Sequence, residues 1–354
     1  MKGWKLGITV FMLAAVLLST LVGCGKDSEF SGDTRTITDM KGNEVTIPTP
    51  KNIERAAVVH SPIIQVMYII GAQDKLCAVT TQAKMWPLIA KFDPNMANVA
   101  TPVSGWEVNL EALIATDPDL CIGSDRQIPK ITEATSIPCL QITTNEAGAY
   151  FDYQKEEVRF FGDVFGKEAR AEKYCKFLDK EISLIAKRVA DLAEDEKPRV
   201  LIASEQAHSG TYGSDSYMQE WLEAAGCRNA AESLSNPASS NSYVNVSVEQ
   251  MLAWDPDILL ITYGSPEDLY NDPVWSNFRA VQDKKVYRIP AGIFIWNRPT
   301  AEGSAQFPIW MAMNAYPDLF DDMTIESEIK RFWSEIVGFE LSDEDVYTIL
   351  HPGN

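Results

Sequence analysis

"EVNLEALIATDPDLCI" (residues 107–122) and "NVSVEQMLAWDPDILLI" (residues 245–261) are two versions of one cassette, and their repetition decides how the chain folds. At an offset of 138 positions, window 108–122 has six identities in fifteen: Val108/Val246, Glu111/Glu249, Ala115/Ala253, Asp117/Asp255, Pro118/Pro256 and Asp119/Asp257. Most other pairs exchange one apolar residue for another. In each copy a polar residue, Asn109 or Ser247, stands just after a valine, where a helix N-cap belongs. Ser247 also has Gln250 three positions on, the spacing of a capping box. Glu111 and Glu249 fall in the first helical turn, where an acid meets the positive end of the helix dipole, an effect of a few tenths of a kcal/mol. Each helix should stop before Asp-Pro-Asp, because proline disfavours helix in the residue before it. An apolar run of buried-strand length follows.

Outward from the cassettes the same alternation continues. "RAAVV", a helix at "IIQVMYIIGA" closed by Gly71, "KLCAVT", "DLCIG" and "PCLQIT" make up the first half. "RVLIAS", a helix at "SYMQEWLEAAG", "DILLIT" and "KVYRIP" make up the second. Alternating strands and helices argue for mostly parallel sheets. "RTITDMKGNEVTIP" near the start reads as a hairpin around Lys41-Gly42-Asn43. Residues 166–193 contain no proline and no internal glycine, and Tyr174, Phe177, Leu178, Ile182, Ile185 and Val189 recur at helical spacing. One helix of about 25 residues, about 38 Å long, is expected there. A chain of 354 residues is also too long for one typical core. The expected fold is α/β: two Rossmann-like lobes with mostly parallel sheets joined by one long α-helix. Residues 36–165 form the first lobe, 166–193 the connecting helix, and 194–354 the second lobe with an acidic helical tail.

The N-terminus is a separate matter. "MKGWKLGITVFMLAAVLLSTLVGCG" has Lys2 and Lys5, an apolar run of signal-peptide length, then small residues. Leu6–Val22 falls short of the roughly 20 apolar residues of a spanning helix. "LVGC", Leu21 to Cys24, resembles the lipobox of bacterial lipoproteins. That resemblance implies a signal peptide over 1–23, cleavage before Cys24, a lipid on its sulfur, and an exported protein anchored on the extracytoplasmic face of a membrane. Two or more acyl chains make such anchoring stable. Residues 24–35 then form a polar tether. Removal of 1–23 takes two lysines and no acid, leaving 29 − 50 = −21 charges. A balance this acidic excludes nucleic acid and an anionic membrane surface as partners. Beyond Cys24 the cysteines are five, with no CxxC spacing, so no disulfide framework is expected and Cys121 and Cys139 read as buried thiols.

Five stretches, in this order and spacing from about residue 36 to 320, carry a family resemblance: "ITDMKGNEVTIPTPKNIERAAVV", "VNLEALIATDPDLCI", "GKEARAEKY", "VSVEQMLAWDPDILLI" and "NDPVWSNFRAVQDKKVYRIP". The chain resembles the substrate-binding lipoproteins of ABC importers for iron–siderophore, haem and cobalamin, the class III periplasmic binding proteins with a rigid inter-lobe helix. The resemblance implies a monomeric binding protein that delivers its ligand to an ABC permease dimer with its ATPase subunits. It puts two docking glutamates, one per lobe, at Glu111 and Glu249. It implies no intrinsic cofactor and a bound metal chelate, an iron–siderophore-type complex first. Cobalamin or haem, a nickel complex, and molybdate or tungstate are the alternatives. A continuous connecting helix implies little lobe closure.

A ligand groove belongs at the carboxyl ends of the strands, between the lobes. The first lobe offers His60 and Ser61, Lys84, Met85 and Trp86, Ser104 and Trp106, then Ser124, Asp125 and Arg126. The second offers Glu205, Gln206, His208, Tyr212, Tyr263, Phe294, Trp296 and Arg298. Aromatic faces with a cation such as Arg298 or Lys84 suit a flat anionic chelate. Duller roles compete: structural histidines at His60 and His208, a helix staple at Trp106, a surface pair at Asp125 and Arg126. Trp310, Met311, Met313 and Tyr316 recur at helical spacing and read as core. The histidines are scattered along the chain, which disfavours a bare metal site. An exported enzyme is the competing class, and no GxSxG, HExxH, CxxC, Walker loop or GxGxxG supports it. A ligand receptor feeding a sensor is the third.

Overall fold

The computed structural model describes residues 32–86, 88–143, 150–204, 208–235 and 243–353. Residues 1–31, with Cys24 and most of the tether, and Glu205 with Gln206 lie outside the described residues.

The chain enters as a hairpin, β1 (Thr34–Thr38) against β2 (Glu44–Pro48), antiparallel in register from Thr34/Pro48 to Thr38/Glu44. Asp39 shapes its turn by accepting the backbone N–H groups of Lys41 and Asn43. In the first lobe β3 (Ala56–Val58) leads into α1 (Ser61–Ile69), then β4 (Leu76–Thr80) and α2 (Ile89–Phe92). A strand not evident in the apolar pattern follows, β5 (Ala100–Ser104), with its short antiparallel neighbour β6 (Glu107–Val108). The cassette helix α3 (Leu110–Ile114), β7 (Leu120–Gly123), α4 (Ile128–Ala134) and β8 (Cys139–Gln141) complete the lobe. Its sheet runs β6-β5-β4-β3-β7-β8 and is parallel except at β6.

Two helices bridge to the second lobe: α5 (Tyr150–Phe165) and α6 (Glu168–Arg188). At 21 residues, α6 is about 32 Å long, shorter than 166–193 allowed. Gly166 at φ +63° and the non-helical Lys167 break it from α5, and Val189 leaves helical geometry at the other end. The second lobe holds β9 (Arg199–Ala203), β10 (Gly210–Thr211), α7 (Tyr217–Ala224), β11 (Arg228–Asn229) and β12 (Val244–Asn245). The second cassette gives α8 (Val248–Ala253) and β13 (Ile258–Ile261), followed by α9 (Pro266–Tyr270), α10 (Arg279–Gln282) and β14 (Val286–Arg288). The sheet order is β11-β9-β13-β14, all parallel.

The repeat extends to the backbone. Asp117 and Asp255 both adopt the left-handed conformation, φ 46° and 44°, which Asp tolerates better than most residues. Each therefore turns the chain sharply off its helix. The second acid of each Asp-Pro-Asp then pins the central strand of its lobe. Asp119 accepts the N–H of Glu54 and Arg55, both at 2.8 Å, just before β3. Asp257 accepts the N–H of Arg199, at 2.8 Å, at the start of β9. The repeated proline is only part of the stop signal; the flanking acids fix where the next strand goes.

The last elements are α11 (Ala301–Ala315), buried along most of its length, α12 (Ile325–Phe332), a π-helical turn Trp333–Val337, and α13 (Asp343–Leu350). This tail returns to the first lobe. Trp333 packs edge-on against Phe92 at 5.1 Å, and Lys91 reaches the buried Asp345 at 2.6 Å. Burial works against ionising Asp345, yet hydrogen bonds from Lys91 and Ser342 outweigh it and hold its carboxyl below the usual range. Arg170 of α6 donates to the carbonyls of Ile69 and Ile336, orphaned at two helix ends. The tail therefore ties the lobes together in addition to the bridging helices. Among the described residues no helix is long and apolar enough to cross a membrane. The five described cysteines are free thiols, four of them buried.

Candidate functional site

The first lobe brings three strand-end residues together. His60 stands at the N-cap position of α1 after β3, Trp106 lies in the turn between β5 and β6, and Arg126 follows β7. The His60 ring stacks on Trp106 at 5.6 Å and 29°, and the Arg126 guanidinium lies over Trp106 at 4.2 Å. Burial, reinforced by the charge of Arg126, pushes the His60 imidazole down to about 4, so it is neutral at physiological pH. Trp106 stays half-exposed. Ser61 shares a 2.6 Å hydrogen bond with Thr80, and Ser124 is bonded to Gln127. Lys84 is turned onto the Ala97 carbonyl of its own lobe at 3.0 Å. Ser104 and Asp125 are exposed, as is Met85.

The second lobe contributes the loop that follows β14. Arg298 donates to the Tyr212 hydroxyl at 3.2 Å and sits 5.7 Å from the Tyr243 ring. Tyr212 and Tyr217 both donate to the Asn297 carbonyl, at 3.2 and 2.7 Å. Behind the loop, Glu302 in the first turn of α11 is fully buried and accepts the N–H of Phe294 at 3.1 Å. The indole N–H groups of Trp296 and Trp333 approach the same carboxylate without reaching hydrogen-bond geometry. Its Oε1 would stand 1.8 Å from a Cβ at position 292, so only glycine fits there. The backbone N–H of Glu302 donates to Gln65 of α1 at 2.6 Å, tying this loop to the opposite lobe. Burial, opposed by these donors, pushes the Glu302 carboxyl up to about 7.

The lobes meet at the bottom of the groove. A cavity of about 30 Å³ is lined by His60, Pro62 and Thr143 of the first lobe, Tyr153 and Glu157 of α5, and Pro299 of the second lobe. It has room for a water molecule or two. Burial also raises Glu157 to about 7, against hydrogen bonds from Gln154 and Tyr153.

The expected ligand residues thus separate into groups. His60 lines the seam cavity with Pro299, the neighbour of Arg298, and Trp106 and Arg126 stack outward from His60 in turn. Trp86 packs edge-on against Phe294 at 5.7 Å inside the inter-lobe contact, and Trp296 and Tyr212 are 1 % exposed. The large aromatic faces expected to stack on a flat ligand are used instead to hold the lobes and the Arg298 loop. His208 lies edge-on to Trp275 at 5.6 Å, its proton affinity lowered by burial, and Tyr263 is 39 % exposed beside Arg288. Among the described residues no three His, Cys, Asp or Glu side chains are grouped to hold a metal ion. Neither Arg126 nor Arg298 has a carboxylate partner among them. Cations without acids suit an anion.

Glu111 and Glu249 are exposed in the first turns of α3 and α8. Asn109 caps the first helix by accepting the Ala112 N–H at 3.0 Å, and Ser247 caps the second by accepting the Gln250 N–H at 3.2 Å. The Ser247 hydroxyl and its own backbone N–H hold the Glu249 carboxyl below the usual range, its own N–H first.

Tyr217, Tyr243, Asn297 and Glu302 were not marked by the sequence. Glu302 had one visible signal: it is two residues after Thr300, which caps α11 by accepting the Gly303 N–H.

Residues 57–292 match a family model described as periplasmic binding protein. The chain is similar to the molybdate-binding protein MolA of Haemophilus influenzae, 27% identical over 350 residues covering 92% of this chain and 95% of MolA. The structure of MolA bound to molybdate aligns with a TM-score of 0.74 at 25% identity, covering 87% of this chain and 99% of that one. A periplasmic solute binding protein from Veillonella parvula aligns with a TM-score of 0.77 at 25% identity, over 90% and 97% of the two chains. The chain is also similar to YvrC of Bacillus subtilis, an uncharacterized ABC transporter substrate-binding lipoprotein, 25% identical over 328 residues, 88% and 96% of the two.

Proposed function

The chain belongs to the periplasmic binding protein family and is a substrate-binding component of an ABC importer rather than an enzyme; we propose that its substrate is a compact, metal-centred oxyanion of the molybdate kind. The observation that carries this reading is the pair of guanidiniums, Arg126 and Arg298, one on each lobe beside the seam, neither with a carboxylate partner among the described residues. Arg298 is part-buried and costly to leave without a counter-charge, and an anion between the lobes removes that cost, with the exposed Arg126 adding a second cation. Neutral His60 adds a polar group beside Arg126. The ferric siderophore, haem or corrinoid expected from the aromatic content fits less well. Trp86, Trp296 and Tyr212 are covered, and Trp106 is already engaged by His60 and Arg126. The likeness to MolA, named for molybdate, agrees with this choice.

Delivery follows the same premise. Glu111 and Glu249, exposed on matching helix starts, dock the two lobes onto the two permease subunits, and a lipid on Cys24 keeps the protein at the extracytoplasmic face of the membrane. Rim charges of this type set orientation and on-rate.

Native mass spectrometry of the full chain in mild detergent, against molybdate, tungstate, ferric citrate, a ferric hydroxamate, haem and cobalamin, tests the assignment. Retention of molybdate or tungstate alone supports it. Retention of only a ferric chelate, haem or cobalamin overturns the oxyanion reading while leaving the binding-protein reading intact.

A further inference from the structure

A half-open pocket of about 420 Å³ lies on the outer edge of the second lobe, within the range of about 300–1,000 Å³ typical of small-molecule sites. Strand β14 forms its floor. Among the described residues β14 pairs with β13 alone, and Lys285 C=O and Ile289 N–H point to that neighbour. In a parallel ladder alternate residues face opposite sides, so the backbone groups of Val286 and Arg288 turn toward the open edge. Glu267 of α9 forms one wall; Trp310 of α11 with Ile325, Glu326 and Leu350 of the tail form the other.

Arg288 is the unusual group. It is part-buried, its Nε is buried without a hydrogen-bond partner, and its Nη1 reaches the Ile261 carbonyl only at 3.5 Å. Among the described residues no carboxylate pairs with it, and the Tyr263 ring at 5.7 Å is its main electrostatic support. A buried polar group left unsatisfied points to a missing partner; for a guanidinium that partner is a carboxylate, taken in paired hydrogen bonds. Glu267 and Glu326 are exposed at the rim, and neither is in an ion pair among the described residues. Between the charges, the half-buried Ile325 and Leu350 offer an apolar edge, backed by the buried Val286 and Trp310.

We infer that this pocket binds a small zwitterion with an apolar body, of the class of free amino acids and short peptides. The carboxylate pairs with Arg288, the ammonium sits at the Glu267–Glu326 rim, and the outward backbone groups of Val286 and Arg288 meet a peptide unit where the ligand has one. The pocket lining includes none of His60, Trp106, Arg126 and Arg298, so the inference does not rest on the proposed oxyanion.

Calorimetric titration of the full chain with L-leucine, L-phenylalanine and leucyl-leucine tests it, with isocaproate and isoamylamine as single-charge controls. Saturable binding of the zwitterions is expected, at least about tenfold tighter than the controls. Arg288→Gln should weaken it at least tenfold, and Arg298→Gln should leave it unchanged. Should Arg288→Gln fail to fold, Glu267→Gln with Glu326→Gln, both on exposed side chains, is expected to weaken zwitterion binding and spare isocaproate. No saturable heat up to about 10 mM, equal binding by the variants, or loss in Arg298→Gln alone would overturn it.

Discussion

Replacing Glu302 by Gln gives the sharpest test of how the Arg298 loop is held. The carboxyl binds its proton more tightly in the folded chain, at about 7, than at its ordinary 4.5. Folding is therefore favoured at low pH, and that contribution is lost as pH rises through 7. At 1.36 kcal/mol per tenfold in proton affinity the full effect is about 3.4 kcal/mol, of which about 2 kcal/mol falls between pH 8 and pH 5.5. Glutamine cannot titrate, so the variant lacks this term. Other groups, including Glu157 and His60, titrate alike in both proteins and cancel in the difference. Urea unfolding of both proteins at pH 5.5 and pH 8 reads it directly. The wild type should gain about 2 kcal/mol on the variant at the acid end. A difference that stays flat, or runs the other way, refutes a buried carboxyl at the centre of this loop.

The twin acids of the cassettes can be tested separately: Asp119→Ala and Asp257→Ala should each cost about 1–3 kcal/mol in chemical denaturation, because each strands a backbone N–H at the start of a central strand. The tail predicts that Trp333→Ala, at a fully buried ring against Phe92, costs about 3–5 kcal/mol by the same measurement. A surface tail would give almost no change. For docking, Glu111→Ala with Glu249→Ala should cut uptake in cells while leaving ligand affinity in the purified protein unchanged; unaltered uptake removes those residues from the permease interface.

What could be read from the chain is what local chemistry dictates. The cassettes, the hairpin turn at Lys41-Gly42-Asn43 and the helical spacing of Tyr174 to Ile185 announce themselves within a few residues of the elements they build. β5 did not, because "ATPVS" carries a proline and too few apolar residues to register as a strand. The tail was legible as helix but not as a second tie between the lobes, since Lys91 meets Asp345 across 254 positions. The site divided along the same line. His60, Trp106 and Arg298 stand at strand ends, where position alone suggests a groove. Trp86 also stands there, yet it packs on Phe294 of the opposite lobe, which no local pattern encodes, and Trp296 is covered beside Glu302. Glu302 went unmarked, because its burial depends on α1 and the Gly292 loop.

The central claim is that one anion is held by a guanidinium from each lobe. Titration of molybdate into the full chain and into Arg126→Gln, Arg298→Gln and the double variant measures it most directly. Each single change should weaken binding about tenfold or more, at about 1.5–3 kcal/mol per charged hydrogen bond, with the double variant binding weakest of all. Affinity that survives both substitutions, or falls with only one of them, contradicts a ligand shared between the lobes.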